Sequence, residues 1–174
     1  ITLKQKEKCY KDLRKVIMKL NVSDQNEFFQ KLEPNTKRKD YSSLCLDWEN
    51  IEYLDNHPLI TIGSHTHTHL VLSLTNYETA KFEMEYSKKV LEEKLGHKIK
   101  HIAYPYGNKS EAGLREFMLA QKIGYETGLT TNCYIAKSSN KYSLPRLAVI
   151  EGMPYEFLNL RIKGLNNFFK KQFA

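Results

Sequence analysis

The sequence predicts an α/β fold built on a parallel sheet or barrel. Three observations predict it. Short apolar, β-branched runs alternate with longer amphipathic stretches in the order strand, helix, strand, helix, strand through the middle of the chain, and that alternation calls for parallel strands joined by crossover helices. The two most unusual segments, 65–69 and 105–107, fall at the C-terminal ends of two of those strands, where parallel α/β folds keep their ligands. The length of 174 residues and the 41% hydrophobic content suit one domain with a core of its own.

The elements follow in order. Thr2-Leu3-Lys4-Gln5 has the form of a capping box, and Leu13, Val16, Ile17 and Leu20 follow at helical spacing. A second short helix is expected from Asp24 to Leu32, broken by Pro34-Asn35. Asp47 is placed to cap a helix carrying Trp48, Ile51 and Leu54. Residues 1–45 read as a helical insertion, and the region up to Leu54 is a candidate cover for a site. Leu59-Ile60-Thr61-Ile62-Gly63 reads as a short buried strand. Thr75-Asn76-Tyr77-Glu78 reads as a second capping box; Ala80, Met84, Ser87, Leu91 and Leu95 then share one helix face, and Gly96 stops it. Lys100 to Tyr104 is the next strand, Ser110 to Ile123 the next helix ending at Gly124, and Tyr125 to Thr130 a third strand. Leu144, Arg146, Ala148 and Ile150 alternate as a strand does, and Phe157, Leu158, Ile162, Leu165 and Phe169 mark a closing amphipathic helix.

The totals exclude several classes. There are no repeats or low-complexity tracts, and no apolar run is long enough to span a bilayer. The net charge of +7 gathers in Lys4 to Lys19, Lys37-Arg38-Lys39 and Lys170-Lys171. It reads as a solvated basic surface, with a polyanion or anionic membrane as the alternative. No basic-aromatic signature of an RNA-binding module is present, so no nucleic-acid partner is expected. Cys9, Cys45 and Cys133 are odd in number and form no CxxC. Free thiols, with no signal segment in view, make the cytoplasm the expected compartment. The oligomeric state has no sequence signal.

Half of the six histidines lie within Gly63-Ser64-His65-Thr66-His67-Thr68-His69. Neutral imidazole is a good ligand for zinc and similar ions. In an extended strand residues four apart are separated by roughly 13 Å, too far to share one ion. In a helical turn their Cβ atoms are about 6 Å apart. A turn of helix past the strand would bring His65 to His69 and send His67 elsewhere. His65 and His69 are therefore the expected metal ligands, against the alternative of polar loop histidines without a metal. Two histidines do not complete a catalytic zinc site, which has three protein ligands as a rule.

These residues resemble a known family. Segment 63–69 is similar to the His-(Ser/Thr)-x-x-His motif of the polysaccharide deacetylases, also called the NodB-homology or carbohydrate esterase 4 family. Ala103-Tyr104-Pro105-Tyr106-Gly107 is similar to that family's Arg-x-Pro-(Tyr/Phe)-Gly motif. The capping helix after Ser73-Leu74-Thr75, Leu91 to Gly96, Leu46-Asp47-Trp48 and Leu144-Pro145-Arg146 look like further family features, so that the resemblance runs from about Leu44 to Ile150. It implies a distorted (β/α)7 barrel and a metal-dependent hydrolase that removes an acetyl group from an N- or O-acetylated sugar of a surface polysaccharide or its precursor. It also implies His65 and His69 as ligands of a divalent metal, zinc first, with cobalt, nickel or manganese as alternatives. Thr66 would brace the loop by hydrogen bonding. The Tyr106 N–H would serve an oxyanion hole, and Tyr104, Pro105 and Tyr106 would meet the carbohydrate substrate. Trp48 is a further candidate sugar platform, with core packing as its alternative. Arg146 would orient a carboxylate or bind substrate, with a plain salt bridge as its alternative.

The departures are equally specific. The family's first-strand Thr-Phe-Asp-Asp segment, which supplies the third ligand and the general base, has no counterpart at Asp24, Asp40, Asp47 or Asp55. The arginine of Arg-x-Pro is Ala103, and neither Asp-x-x-Asp-Trp nor a late Leu-x-His occurs. The expectation is one domain over 1–174 that forms the C-terminal part of a longer deacetylase domain, with the first strand or strands missing and no activity by itself. The competing expectations are another amide or imide hydrolase on the same barrel, and a metal- or carbohydrate-binding domain without catalysis.

Overall fold

A computed structural model describes residues 1–32, 40–132 and 140–163. The Pro34-Asn35 break, Lys37-Arg38-Lys39, Cys133, Leu165, Phe169 and Lys170-Lys171 lie outside the described residues. In chain order the elements are α1 (Leu3–Ile17), α2 (Val22–Leu32), α3 (Trp48–Asp55), α4 (Tyr77–Leu95), β1 (His101–Ala103), α5 (Leu114–Ile123), β2 (Thr127–Leu129) and α6 (Tyr155–Ile162). Cys9 and Cys45 are free and exposed, and no described helix is long and apolar enough to cross a membrane.

The helix starts follow local chemistry. Thr2 and Gln5 exchange the two bonds of the expected capping box, and the Asp47 carboxylate accepts from the Asn50 N–H at the head of α3. Asn21 accepts from the Asp24 N–H and so starts α2 earlier than Asp24. On α4 the expected cap is one residue off. Asn76 accepts from the Thr79 N–H, while the Thr75 hydroxyl donates back to the Leu72 carbonyl. Helix α5 starts at Leu114 rather than Ser110, because the Asn108 side chain draws Ser110 into a turn. Gly96 and Gly124 close α4 and α5 at positive φ, as a helix end of this type requires.

The core is one cluster between α4, α5 and the strands. Leu72, Ala80, Met84, Ile99, Ile102, Leu119, Ala120 and Tyr125 are all but sealed from solvent. Full burial of a side chain such as Met84 or Leu72 contributes about 1.5–3 kcal/mol. Neither α1 nor α2 buries a residue.

Strands β1 and β2 pair in parallel, Ile102 opposite Gly128. Isolated parallel bridges extend the row at both sides, Ser64 to Ile102 and Leu129 to Leu144. The spatial order is thus 64, β1, β2, 144, in chain order, with α4 and α5 as the crossovers. Two expected strands shrink to these single bridges. Segment 59–63 is not a buried strand: Leu59 is 88% exposed, its N–H and that of Ile60 turn back to His57, and only Ile62 packs on the core. Segment 142–150 pairs only at Leu144: the Thr130 carbonyl, where the next ladder bond to β2 would form, accepts from the Arg146 side-chain Nε instead. The parallel α/β order stands; the described residues contain two strands and do not close a barrel.

Candidate functional site

Two loops meet at the C-terminal ends of the Ser64 segment and β1. Ser64 is anchored between backbone and helix. Its N–H donates to the His101 carbonyl at 2.8 Å, its carbonyl accepts from the Ala103 N–H at 2.9 Å, and its hydroxyl shares a 2.7 Å hydrogen bond with Ser87 of α4. Next to it, His65 Nδ1 lies 2.6 Å from the Ala103 carbonyl oxygen. A carbonyl can only accept, so Nδ1 carries the proton and Nε2 is left as the basic nitrogen. The ring is open to solvent yet has lost enough hydration to hold its pKa below the ordinary histidine value; the Ala103 bond opposes that shift, and the nearby charges of His69 and Arg146 add to it.

The His69 ring stands edge-on to His65, with centroids 4.8 Å apart. His67 points away, against Tyr86 at 4.5 Å and Phe82 at 6.3 Å. The expected pairing is therefore present, but not by the expected means. Residues 65–69 form no helical turn. The chain folds back through positive φ at Thr66 (68°) and His69 (60°). With Tyr106 (60°), these are the only non-glycine residues of positive φ among the described residues. Such backbone costs of order 1–3 kcal/mol per residue and persists only where surrounding contacts hold it.

The contact that holds the fold-back is one the sequence reading missed. Glu83 of α4, 3% exposed, accepts from the His67 N–H at 3.0 Å, the Thr68 N–H at 2.7 Å and the Thr68 hydroxyl at 2.6 Å. A carboxylate on the same face as Ala80, Met84 and Ser87 was the available signal, since a buried glutamate needs partners. The bracing expected of Thr66 falls to Thr68: Thr66 Oγ1 is buried with no hydrogen-bond partner among the described residues.

The second loop follows β1. Tyr106 meets the His69 ring edge-on at 5.0 Å, and Arg14 of α1 sits over the Tyr106 ring, 5.5 Å from its centroid. The first helix thus does reach the site. A tight turn joins the Gly107 N–H to the Pro105 carbonyl at 2.6 Å, and Thr131 secures both Tyr106 and Gly107 carbonyls. Tyr104 and Pro105 are corrections to the expected substrate contacts. Both side chains are fully buried. Tyr104 packs on Phe117 and donates its hydroxyl to the Tyr142 carbonyl, and burial raises its pKa well above the usual tyrosine range. Gly128 makes room for that hydroxyl, which would lie 2.3 Å from a Cβ there.

Arg146 lies near enough to His65 to disfavour its protonation, and its Nε donates to the Thr130 carbonyl. The salt bridge that was its alternative is not formed among the described residues. Trp48 stands beside Lys94 at the far end of α4, about 16 Å along the helix axis from Glu83; it is exposed, neither core nor platform at this site. No cluster of three or more His, Cys, Asp or Glu side chains suited to a metal occurs among the described residues.

The sequence model of the polysaccharide deacetylase family matches residues 14–128. The chain belongs to this family. The Bacillus subtilis (strain 168) protein YxkH, itself assigned to the polysaccharide deacetylases, is 35% identical over 95 residues, 54% of this chain and 33% of its own length. Among solved structures, the Streptococcus pyogenes deacetylase PplD, determined in complex with acetate, is 26% identical with a TM-score of 0.60, covering 67% of this chain and 50% of PplD. BC0361, a polysaccharide deacetylase from Bacillus cereus, and IcaB from Ammonifex degensii share the fold at 24% and 20% identity, with TM-scores of 0.57 and 0.56; they cover 68% and 67% of this chain and 37% and 52% of their own. The chain thus spans a third to a half of the length of these proteins.

Proposed function

We propose that this segment of a polysaccharide deacetylase supplies one half of a hydrolytic centre that removes acetyl groups from a sugar of a surface polysaccharide or its precursor. One observation carries the proposal: the His65 and His69 rings stand 4.8 Å apart at a strand end, with His65 Nδ1 committed to Ala103 and its other nitrogen without a hydrogen-bond partner among the described residues. That is the arrangement of a metal-ligating histidine oriented by a carbonyl. The pair fits two positions of a divalent site, zinc first. When bound, such an ion supplies Lewis acidity toward a carbonyl and makes water a better nucleophile near neutral pH.

The chain's own residues would do the rest. His65 is kept neutral by its surroundings and turned by Ala103. The Tyr106 N–H has no acceptor among the described residues and is held at a strained turn beside His69, where it suits a developing oxyanion. Arg146, tethered through Nε, keeps its remaining donors for substrate or a carboxylate. The third ligand and the general base would come from elsewhere in the deacetylase, and the 174 residues alone would be inactive.

Zinc titration by calorimetry tests the ligand assignment. The unmodified chain and His67→Ala are expected to bind, and His65→Ala and His69→Ala each to lose binding. Unchanged affinity in the last two would sink it. The competing reading, a non-catalytic metal- or carbohydrate-binding domain, draws on the missing third ligand among the described residues. Acetate release from an N-acetylated oligosaccharide by a protein containing this segment, lost in His65→Ala, decides against that reading.

A further inference from the structure

We infer that Glu83 is the positioning residue of the histidine pair: its carboxylate fixes the fold-back that brings His69 against His65. Three donors converge on it, and all three belong to His67 and Thr68, the short stretch between the two rings. Glu83 is buried and has no ion-pair partner among the described residues, so loop donors alone compensate its charge. An uncompensated buried carboxylate is strongly unfavourable. Loop and carboxylate therefore hold one another in place.

One helical turn later on α4, Ser87 bonds Ser64. The two residues are four apart and so lie one above the other on a single face. They grip the loop on both sides of His65, Ser87 before it and Glu83 after it. Positive φ at Thr66 and His69 would relax without that grip, because neither residue is a glycine. The role goes beyond filling the core: the Glu83 bonds go to His67 and Thr68 and not to the His65 or His69 ring, yet they set the distance between those rings.

The test replaces Glu83 by Gln, which keeps the size but turns one acceptor oxygen into a donor facing N–H groups. Thr68→Val, which removes only the hydroxyl bond, is the milder partner, and exposed Glu85→Gln the control. The first readout is metal-free: the nuclear Overhauser contact between the His65 and His69 rings in the full chain. It is expected in the parent and the control, weakened in Thr68→Val and lost in Glu83→Gln. The second is Zn2+ affinity, expected to fall about 10- to 100-fold in Glu83→Gln, as for other groups that orient a ligand, and less in Thr68→Val. Ring contact and affinity both unchanged in folded Glu83→Gln would overturn the inference. Should Glu83→Gln fail to fold, a Thr68→Val variant with unaltered ring contact would overturn it instead. The affinity arm rests on the metal reading above. A parent with the ring contact but no zinc binding overturns that reading alone, and the ring contact still decides the role of Glu83.

Discussion

The loop from Ser64 to His69 is gripped by side chains of α4, whereas the loop from Pro105 to Gly107 is locked mainly by backbone groups around it. In the first, Glu83 and Ser87 reach across from a helix, and the strained residues are Thr66 and His69. In the second, Gly107 donates to Pro105 and accepts from the Thr131 N–H, and the strained residue is Tyr106. The difference teaches where each geometry is vulnerable. Backbone locking leaves little room for any side chain: a Cβ on Gly107 would stand 2.9 Å from the Tyr104 carbonyl oxygen. Side-chain gripping is expected to leave the backbone pairing of the sheet in place when it is removed, so that the histidine pair loosens before the chain around it unfolds.

The largest effect is expected from Gly107→Ala. Positive φ of 67° and the close Tyr104 oxygen act together, for a loss of about 1–3 kcal/mol of stability from strain at this one position. Denaturant unfolding reads it. A loss under roughly 0.5 kcal/mol, the scale of ordinary surface changes, would mean that the second loop adapts as easily as the first. Thr131→Val is expected to cost about 1 kcal/mol, the net value of one hydrogen bond, because it removes the hydroxyl bond to the Tyr106 carbonyl and leaves the backbone lock. If its loss equals that of Gly107→Ala, the lock is in side chains after all.

The smallest effect is electrostatic and confined to the first loop. The His65 titration midpoint, followed by nuclear magnetic resonance, is expected below the ordinary histidine value. Arg146→Gln should raise it only slightly, because lost hydration outweighs the arginine's charge. The sign for stability follows. A folded-state pKa below the unfolded one means that the fold prefers neutral imidazole. The contribution is present above the unfolded histidine pKa and fades as pH falls through the depressed value. Acid should therefore loosen the Ser64–His69 loop while leaving the Pro105–Gly107 turn intact. A His65 midpoint above the ordinary value would contradict the packing described for its ring.

Helices were the most legible part of the chain. Thr2 with Gln5, Asp47, Gly96 and Gly124 act within a few residues of themselves, so their roles can be read without knowing what lies opposite. Strands were less legible. Leu59 to Gly63 and Tyr142 to Ile150 have strand-like composition, but a strand exists only through a partner: the first segment pairs only just past its end, at Ser64, and the second only at Leu144. The site was legible in part. The spacing of His65 and His69 identified which rings meet; a helical turn was the wrong reason, because a fold-back through positive φ brings the same two residues together. Tyr104 looked like a contact surface from its place in a motif, and its hydroxyl instead closes a buried bond to Tyr142.

By itself the sequence determined the alternation of helix and parallel strand, the helix ends, the family and the identity of the histidine pair. Each of these rests on local residue chemistry or on short motifs. Only the tertiary structure decided that α4 holds the pair through Glu83, that Thr68 rather than Thr66 makes the bracing bond, and that Arg14 covers Tyr106. Those contacts join residues 15 to 92 positions apart, and no periodicity encodes a contact between groups that only folding brings within reach.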